Sequence, residues 1–333
     1  MSHSVTLVEF NQLSKFFDER NNSLNWSSVF VLPGWLQAWW DSFGSNFTAL
    51  PLLIHSDGEV IGFAPLKLSG KKASLIGDNS VCDYLDFTIA DGAGEAVASA
   101  LLDYLSSRGI CELELETLRP GAVALTCVMP EALRRGWHVN SYALDMSYET
   151  ELPKSYGDYL ISLESRYRRD LERKLRNIET FAPVRLEVLH DSNIGEADLL
   201  DFFGMMSESR YDKSLFLTDE MKRFFSGVAL AMASCGAMRL AFLCLGATRV
   251  AATFFFDYGD RIYLYNSGYL PQYACMSVGL ISKLFTIRLA IEEGKKVFDF
   301  LKGSEVYKSR MGSKEVQLMR CDIRIPGMRS GSF

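Results

Sequence analysis

Apolar runs along the chain are broken by glycine-containing turns, and the breaks recur in the same order twice. The stretch "LPLLIHSDGEVIGFAPLKL" predicts two strands joined at Asp57-Gly58, a dipeptide suited to a tight hairpin turn. Further on, "GEAVASALLDYLSSRG" has apolar residues at Val97, Leu101 and Leu105, the spacing of a helix, and stops at Gly109. The strand "ICELELETL" follows. In the second half, "MRLAFLCLGATRVAATFFFDYGDRIYLYNSGY" reads as three strands separated at Gly246 and at Tyr258-Gly259-Asp260. The helix "SVGLISKLFTIRLAIEEG" then stops at Gly294 and is followed by the strand "KVFDFL". Strands, helix, glycine stop and strand thus appear in each half, with roughly 50 residues from the first hairpin turn to the helix-ending glycine. This order predicts a duplicated α/β (mixed α+β) domain, with copies at 1–150 and 151–333.

Between the two copies, "SYGDYLISLESRYRRDLERKLRNIETF" carries Leu160, Leu163, Tyr167, Leu171, Leu175 and Ile178 at three- and four-residue steps. Arg166, Arg169, Arg173 and Arg176 follow a second stripe at the same steps, flanked by Arg168 and Lys174. The pattern predicts one long helix over 155–180 with a cationic face, opening the second domain.

Composition narrows the function classes. The chain has 333 residues, 48% hydrophobic and 23% charged, which suits a soluble protein of two domains of about 150 residues. Its net charge of −6 argues against bulk nucleic-acid binding, while the local excess of arginine on the 155–180 helix suggests an anionic partner. The seven cysteines include no C-x-x-C pair and lie among apolar segments, as free thiols in a reducing compartment would. The four histidines never fall at metal-ligand spacing, so no metal is expected. The N-terminal stretch "MSHSVTLVEFNQLSKFF" has no signal-peptide pattern, and no uncharged run reaches membrane-spanning length. A cytoplasmic protein is expected.

The densest chemistry lies in "FDFLKGSEVYKSRMGS", residues 298–313. Asp299 stands between Phe298 and Phe300 in a strand, so its side chain points away from both. A carboxylate at a strand end, raised in pKa by desolvation, is suited to take a proton from an attacking group; it is equally suited to pair with a lysine or arginine. After the break at Lys302-Gly303 come Glu305, Tyr307 and Lys308, where a donor could stabilise an oxyanion or hold a phosphate. The start of the helix after "YNSGYLPQYACMSVG" offers small residues and free N–H groups to an anion, although most such starts are plain helix caps.

These residues together carry a resemblance. "FDFLKGSEVYKSRMG" at the end of a helix–glycine–strand unit, the preceding "LESRYRRDLERKLR", and the spacing of Tyr273, Ser277 and Gly279 resemble the BioF2-like (CelD/BcsL-type) acetyltransferase domain of the GNAT superfamily, related to the FemAB peptidyltransferases. The match is clearest from Ser155 to Ile325, with weaker echoes in "WLQAWWDSFG" and in Asp83–Phe87. The resemblance implies tandem GNAT-like domains, each a mixed, mostly antiparallel sheet flanked by helices, the first copy degenerate. It implies an acyltransferase (EC 2.3.1 class) moving an acyl group from acyl-CoA, as acetyl-CoA, to an amine or hydroxyl. The acceptor would be a small molecule or a cell-envelope or exopolysaccharide precursor. Ser267, Gly268, Tyr273, Ser277 and Gly279 would then hold the donor. Asp299, Tyr307 and Lys308 would act on the reacting groups, and Arg166, Arg169, Arg173 and Glu305 would bind substrate.

One departure matters. The usual acetyl-CoA loop here reads "QYACMS", with Cys275 and Ser277 where glycine or alanine is expected, and side chains there hinder close approach to a pyrophosphate. FemAB-type transferases, which take their acyl group from aminoacyl-tRNA, also lack the loop. Two alternatives therefore stand beside the acyl-CoA enzyme: a FemAB-like aminoacyl-tRNA-dependent transferase, and a non-catalytic GNAT-fold binding module in a biosynthetic assembly.

Overall fold

The Asp57-Gly58 turn forms as expected: both residues have positive φ, 49° and 92°, the backbone that closes a two-residue hairpin. In the computed structural model, which describes residues 3–9, 12 and 23–324, the chain divides into two compact units. The other residues of the expected domains 1–150 and 151–333 lie outside the described residues. The first unit takes the chain up to Met146 together with the segment from Val316 onward, and the second is Ser147–Glu315. Relative to the expected boundary, the division falls a few residues earlier and the C-terminal strand goes to the first unit.

In chain order the first unit begins with β1 (His3–Leu7), β2 (Leu24–Asn25) and α1 (Pro33–Phe43). Then come β3 (Thr48–Ser56), β4 (Glu59–Ser69), β5 (Lys72–Leu75) and β6 (Thr88–Ala90). They are followed by α2 (Gly94–Ser107), β7 (Glu112–Leu118), α3 (Met129–Arg134) and β8 (His138–Glu151), whose last residues enter the second unit. The second unit continues with α4 (Tyr156–Ser162), α5 (Ser165–Phe181), β9 (Val184–His190), α6 (Glu196–Ser209), α7 (Tyr211–Phe216) and α8 (Asp219–Ser234). It closes with β10 (Met238–Leu245), β11 (Thr248–Tyr258), β12 (Arg261–Tyr269), α9 (Val278–Glu292), β13 (Val297–Lys302), α10 (Val306–Arg310) and the first residues of β14 (Lys314–Arg324).

The two units repeat one topology. In the first, β1, β3, β4 and β5 are successive antiparallel neighbours, α2 crosses over, and β7 lies parallel to β5. In the second, β9, β10, β11 and β12 are antiparallel neighbours, α9 crosses over, and β13 lies parallel to β12. Beyond the parallel strand each unit has one antiparallel partner: β14 beside β7, and the end of β8 beside β13. In each unit the strand pairing is thus mixed and mostly antiparallel. The glycines that end the crossover helices, Gly109 and Gly294, have φ of 70° and 74°, as a left-handed C-terminal cap requires.

The core of the second unit forms where α9 covers the sheet, with Leu284 and Ile287 meeting Phe255, Ile262, Leu264, Phe298 and Phe300. The cationic segment expected as one helix is two, α4 and α5. The backbone is extended at Leu163 and leaves the helical range at Glu164. Leu163 is buried in the core, where its Cδ2 would stand 2.9 Å from a Cβ on Gly312, and this seat draws the chain out of helical geometry. Among the described residues no helix is long and apolar enough to cross a membrane.

Candidate functional site

The site is set by the separation of two strands. β12 and β13 pair only through Arg261–Val297, Ile262–Phe298 and Tyr263–Asp299. Beyond that point β12 runs on to Tyr269 paired with β11 alone. β13 turns away, with a register shift against β8 between Asp299 and Leu301 and positive φ at Leu301 (60°) and Gly303 (106°).

Polar side chains connect the two diverging ends. From α7, the ammonium of Lys213 donates to the Ser267 carbonyl at 2.5 Å and to Asn266 Oδ1 at 2.9 Å. One turn earlier, Arg210 chelates Asp212 and lies 3.8 Å from Glu305 Oε1. Glu305 Oε2 in turn lies 3.1 Å from Lys308 Nζ. Lys308, 2% exposed, donates to the Leu301 carbonyl at 3.2 Å and to the Lys302 carbonyl, and its ammonium lies 5.5 Å from the Tyr148 ring. Lys308 therefore pins the turn that follows β13. The turn favours glycine at 303, where φ is 106° and a Cβ would stand 2.5 Å from Glu305 Oε2 and 3.2 Å from Lys308 Nζ.

A fourth cation comes from α9. Lys283 is buried, donates to the Gly279 carbonyl at 2.8 Å, and places its ammonium 5.0 Å from the centre of the Tyr307 ring. Burial, reinforced by the Lys213 charge, lowers its pKa to about 7. Burial of the Lys213 ammonium, with Arg210 nearby, lowers that group to about 8. Burial works against the charge on Glu305, yet the Lys308 ammonium holds its carboxyl below the ordinary glutamate range. Burial also raises the Tyr307 phenol well above its usual value, so at neutral pH it is a hydroxyl donor.

Several expected site residues have other work. Asp299 is fully buried on the face opposite Phe298 and Phe300, as strand alternation requires, but its Oδ2 accepts from Arg261 at 3.0 Å. The same guanidinium binds Glu149, and Asp299 Oδ1 caps the Leu301 N–H at 2.9 Å. In place of a general base, the geometry makes Asp299 one arm of a buried ion triad where the strands still pair. Gly268 makes room for α6: a Cβ there would stand 2.3 Å from the Met206 nitrogen. Gly279 makes room for Tyr269, whose ring would lie 2.8 Å from an added Cβ. Neither glycine is bare for a ligand. Tyr273 packs with Ile178 and Val278, and Ser277 caps α9 from a left-handed backbone, φ 58°, with no side-chain hydrogen bond to the helix.

Ser267 is the most informative of the group. Its N–H donates to Asn266 Oδ1 at 2.9 Å and its C=O accepts from Lys213, so neither is engaged by β11. In an antiparallel strand such groups point to the other edge, here the one β13 has left. That edge is capped by the protein's own side chains.

Arg166, Arg169 and Arg173 come together as expected, exposed along a groove of about 830 Å³ beside α5. Arg310 of α10 joins them, stacked 5.6 Å from the Tyr167 ring, so one short helix carries Tyr307 and Lys308 at the cleft and Arg310 at the groove. Sequence reasoning missed Lys213, Asn266, Arg210 and Lys283. Only Lys283 left a local signal: a lysine between Ile281 and Leu284 in a helix apolar on nearly every face. Among the described residues no three His, Cys, Asp or Glu side chains stand together as metal ligands.

Residues 165–309 match the family of acetyltransferase (GNAT) domains. No curated protein sequence matches the chain. Among solved structures, FemX is similar at a TM-score of 0.68 and 13% identity, covering 97% of each chain. The C-terminal domain of a putative lysylphosphatidylglycerol synthetase from Agrobacterium fabrum is similar at 0.57 and 9%, covering 95% of this chain and 91% of that one. The structure of L-PGS from Bacillus licheniformis is similar at 0.55 and 11%, covering 86% and 90%. At these identities the likeness is one of fold.

Proposed function

We propose that this chain, whose residues 165–309 form a GNAT acetyltransferase domain, is an acyltransferase acting where β12 and β13 part. The observation that carries the reading is the cationic cluster bridging the two strand ends, with the Tyr307 ring 5.0 Å from the Lys283 ammonium. An amine or hydroxyl attacking an activated acyl carbonyl builds negative charge on the carbonyl oxygen and then on the leaving group. Fixed donors in a partly dry site stabilise both. The new C–N or C–O bond forms as the bond to the leaving group breaks, and the proton lost by the acceptor balances the one the leaving group gains. Tyr307, kept protonated by burial, is the hydroxyl donor, and the cations of the cluster supply the field.

Acyl-CoA is the donor the family resemblance suggests. A second reading, an aminoacyl-tRNA donor, is favoured by the capped edge at Ser267 and by Cys275 and Ser277 in the loop before α9. The arginine groove beside α5 suits a polyanion on either side of the reaction, and an envelope or polysaccharide precursor as acceptor rests on the resemblance alone. The test is label transfer from acetyl-CoA and, in parallel, from charged tRNA to a panel of amines. One donor class should give product, and Tyr307→Phe should lower the rate about 10²- to 10³-fold. No transfer from either donor, or an unchanged rate for Tyr307→Phe, defeats the reading.

A further inference from the structure

Lys213 and Lys283 have no carboxylate in hydrogen-bonding or ion-pair contact among the described residues. Lys213 meets an amide and a carbonyl oxygen, and Lys283 meets one carbonyl oxygen and a ring. Buried ammonium groups are ordinarily paired, since leaving one among neutral acceptors is costly. Here two share one site, with Arg210 and Lys308 alongside. Glu305 lies against Lys308 and Arg210, and Asp212 is chelated by Arg210, so these acids are engaged by the other two cations. Lys213 and Lys283 meet only neutral acceptors at hydrogen-bonding distance. Burial is the main cause that lowers both pKa values, with the Lys213 charge adding to the effect on Lys283 and the Arg210 charge adding to the effect on Lys213.

We propose that Lys213 and Lys283 form a phosphate-binding subsite at the mouth of the strand cleft, for a phosphate group of the acyl donor or acceptor. A phosphate group, with several acceptor oxygens and about −1.5 to −2 charge as a monoester near neutral pH, can accept from both ammonium groups at once. The subsite differs in place from the helix start at Ser277, where a coenzyme pyrophosphate was expected. Lys283 lies one and a half turns further along α9, and Lys213 belongs to another helix. It also gives Lys213 two positions: capping Ser267 when empty, and turned to the phosphate when filled. The proposal rests on the acyl-transfer reading for the identity of the ligand, not for its binding.

The probe is inorganic phosphate titrated at constant ionic strength, read by thermal shift and by ³¹P line broadening, with dimethyl phosphate as the diester counterpart. The intact protein should show saturable stabilisation by phosphate. Lys283→Met and Lys213→Met should each weaken it at least tenfold, while Lys222→Met on α8 leaves it unchanged. Should Lys283→Met fail to fold, Lys213→Met, at a half-buried helix position, gives the same answer. Dimethyl phosphate binding as tightly as phosphate assigns the group to a nucleic-acid or other diester backbone, and weaker binding assigns it to a monoester. A phosphate response that survives both lysine variants, or that vanishes instead in the Arg166→Gln/Arg169→Gln variant, overturns the proposal. Lysine-dependent phosphate binding without acyl transfer would defeat the functional reading and keep the subsite. Transfer with no competition by phosphate would do the reverse.

Discussion

Arg261 reaches across neighbouring parallel strands to Asp299, guanidinium to carboxylate at 3.0 Å: Arg261 stands opposite Val297 where the pairing starts, and Asp299 stands opposite Tyr263 at the last register position before those strands separate. The pair marks where the sheet ends and the cleft begins. Its loss should therefore register as instability. Arg261→Met removes the cation from a fully buried carboxylate and should cost about 3–5 kcal/mol in urea denaturation. Asp299→Asn should cost less, about 2 kcal/mol, because Glu149 still holds Arg261. A stable but inactive Asp299→Asn protein would restore the carboxylate to the role of base.

Gly268 and Gly303 should fail differently. Gly268→Ala forces a methyl against the backbone of α6 and should destabilise by about 3 kcal/mol. Gly303→Ala meets instead the tips of Glu305 and Lys308 at φ 106°. It should cost about 1–3 kcal/mol and in addition reduce transfer among the molecules that remain folded. Melting temperature and specific activity, measured together, separate the two.

Lys308→Met is expected to lose stability as well as activity. Two carbonyls and Glu305 depend on that one ammonium, so the substitution should cost about 2–4 kcal/mol. Lys308→Arg should not restore it, since a planar guanidinium does not reproduce the point-like contact of an ammonium. An unchanged denaturation midpoint for Lys308→Met would show that the turn holds itself.

The hairpin, the two crossover helices with their glycine stops and the repeated order of elements were legible, because each depends on residues adjacent in the chain. The break at Leu163–Glu164 was not, because its cause is a core seat beside Gly312, about 150 residues away by number. For the candidate site, the stretch 298–310 places Glu305 and Lys308 in one polar cluster with Arg210, and the arginine stripe lines a groove. Partners were the illegible part. Strand alternation gave the face of Asp299 but could not name Arg261, and nothing near Asn266 in the chain announces Lys213 from another helix.

The low pKa of Lys283 makes a signed prediction. Its value falls from 10.5 to about 7, so between these limits the unfolded chain binds a proton that the native protein does not. Unfolding free energy should then rise with pH across that window and fall back as pH drops to about 7, by up to about 1.4 kcal/mol per pH unit. The groups acting on Lys283 are Lys213, Lys308, Arg210 and Glu305, and Lys213, at about 8, adds to the upper part of the window. Lys283→Met should flatten the curve. Phosphate binding should move the opposite way, weakening as pH rises through the same range and the ammonium groups are lost. Parallel pH profiles for the parent protein and Lys283→Met would contradict both.

One of the two strands that flank β7 is β14, and Ser147–Glu315 intervenes before it is complete. During synthesis the second unit is therefore complete while the first still lacks a strand. Until Val316–Arg324 emerges, β7 offers an open edge whose Leu113 and Leu115 are destined for burial. The nascent first unit must wait with that edge available to chaperones, or to the wrong partner, for the time the ribosome needs to add some 200 residues, on the order of 10–40 s. A second unit finished early, followed by a delayed strand for the first, orders the chain's maturation: Ser147–Glu315 is complete before the first unit receives β14.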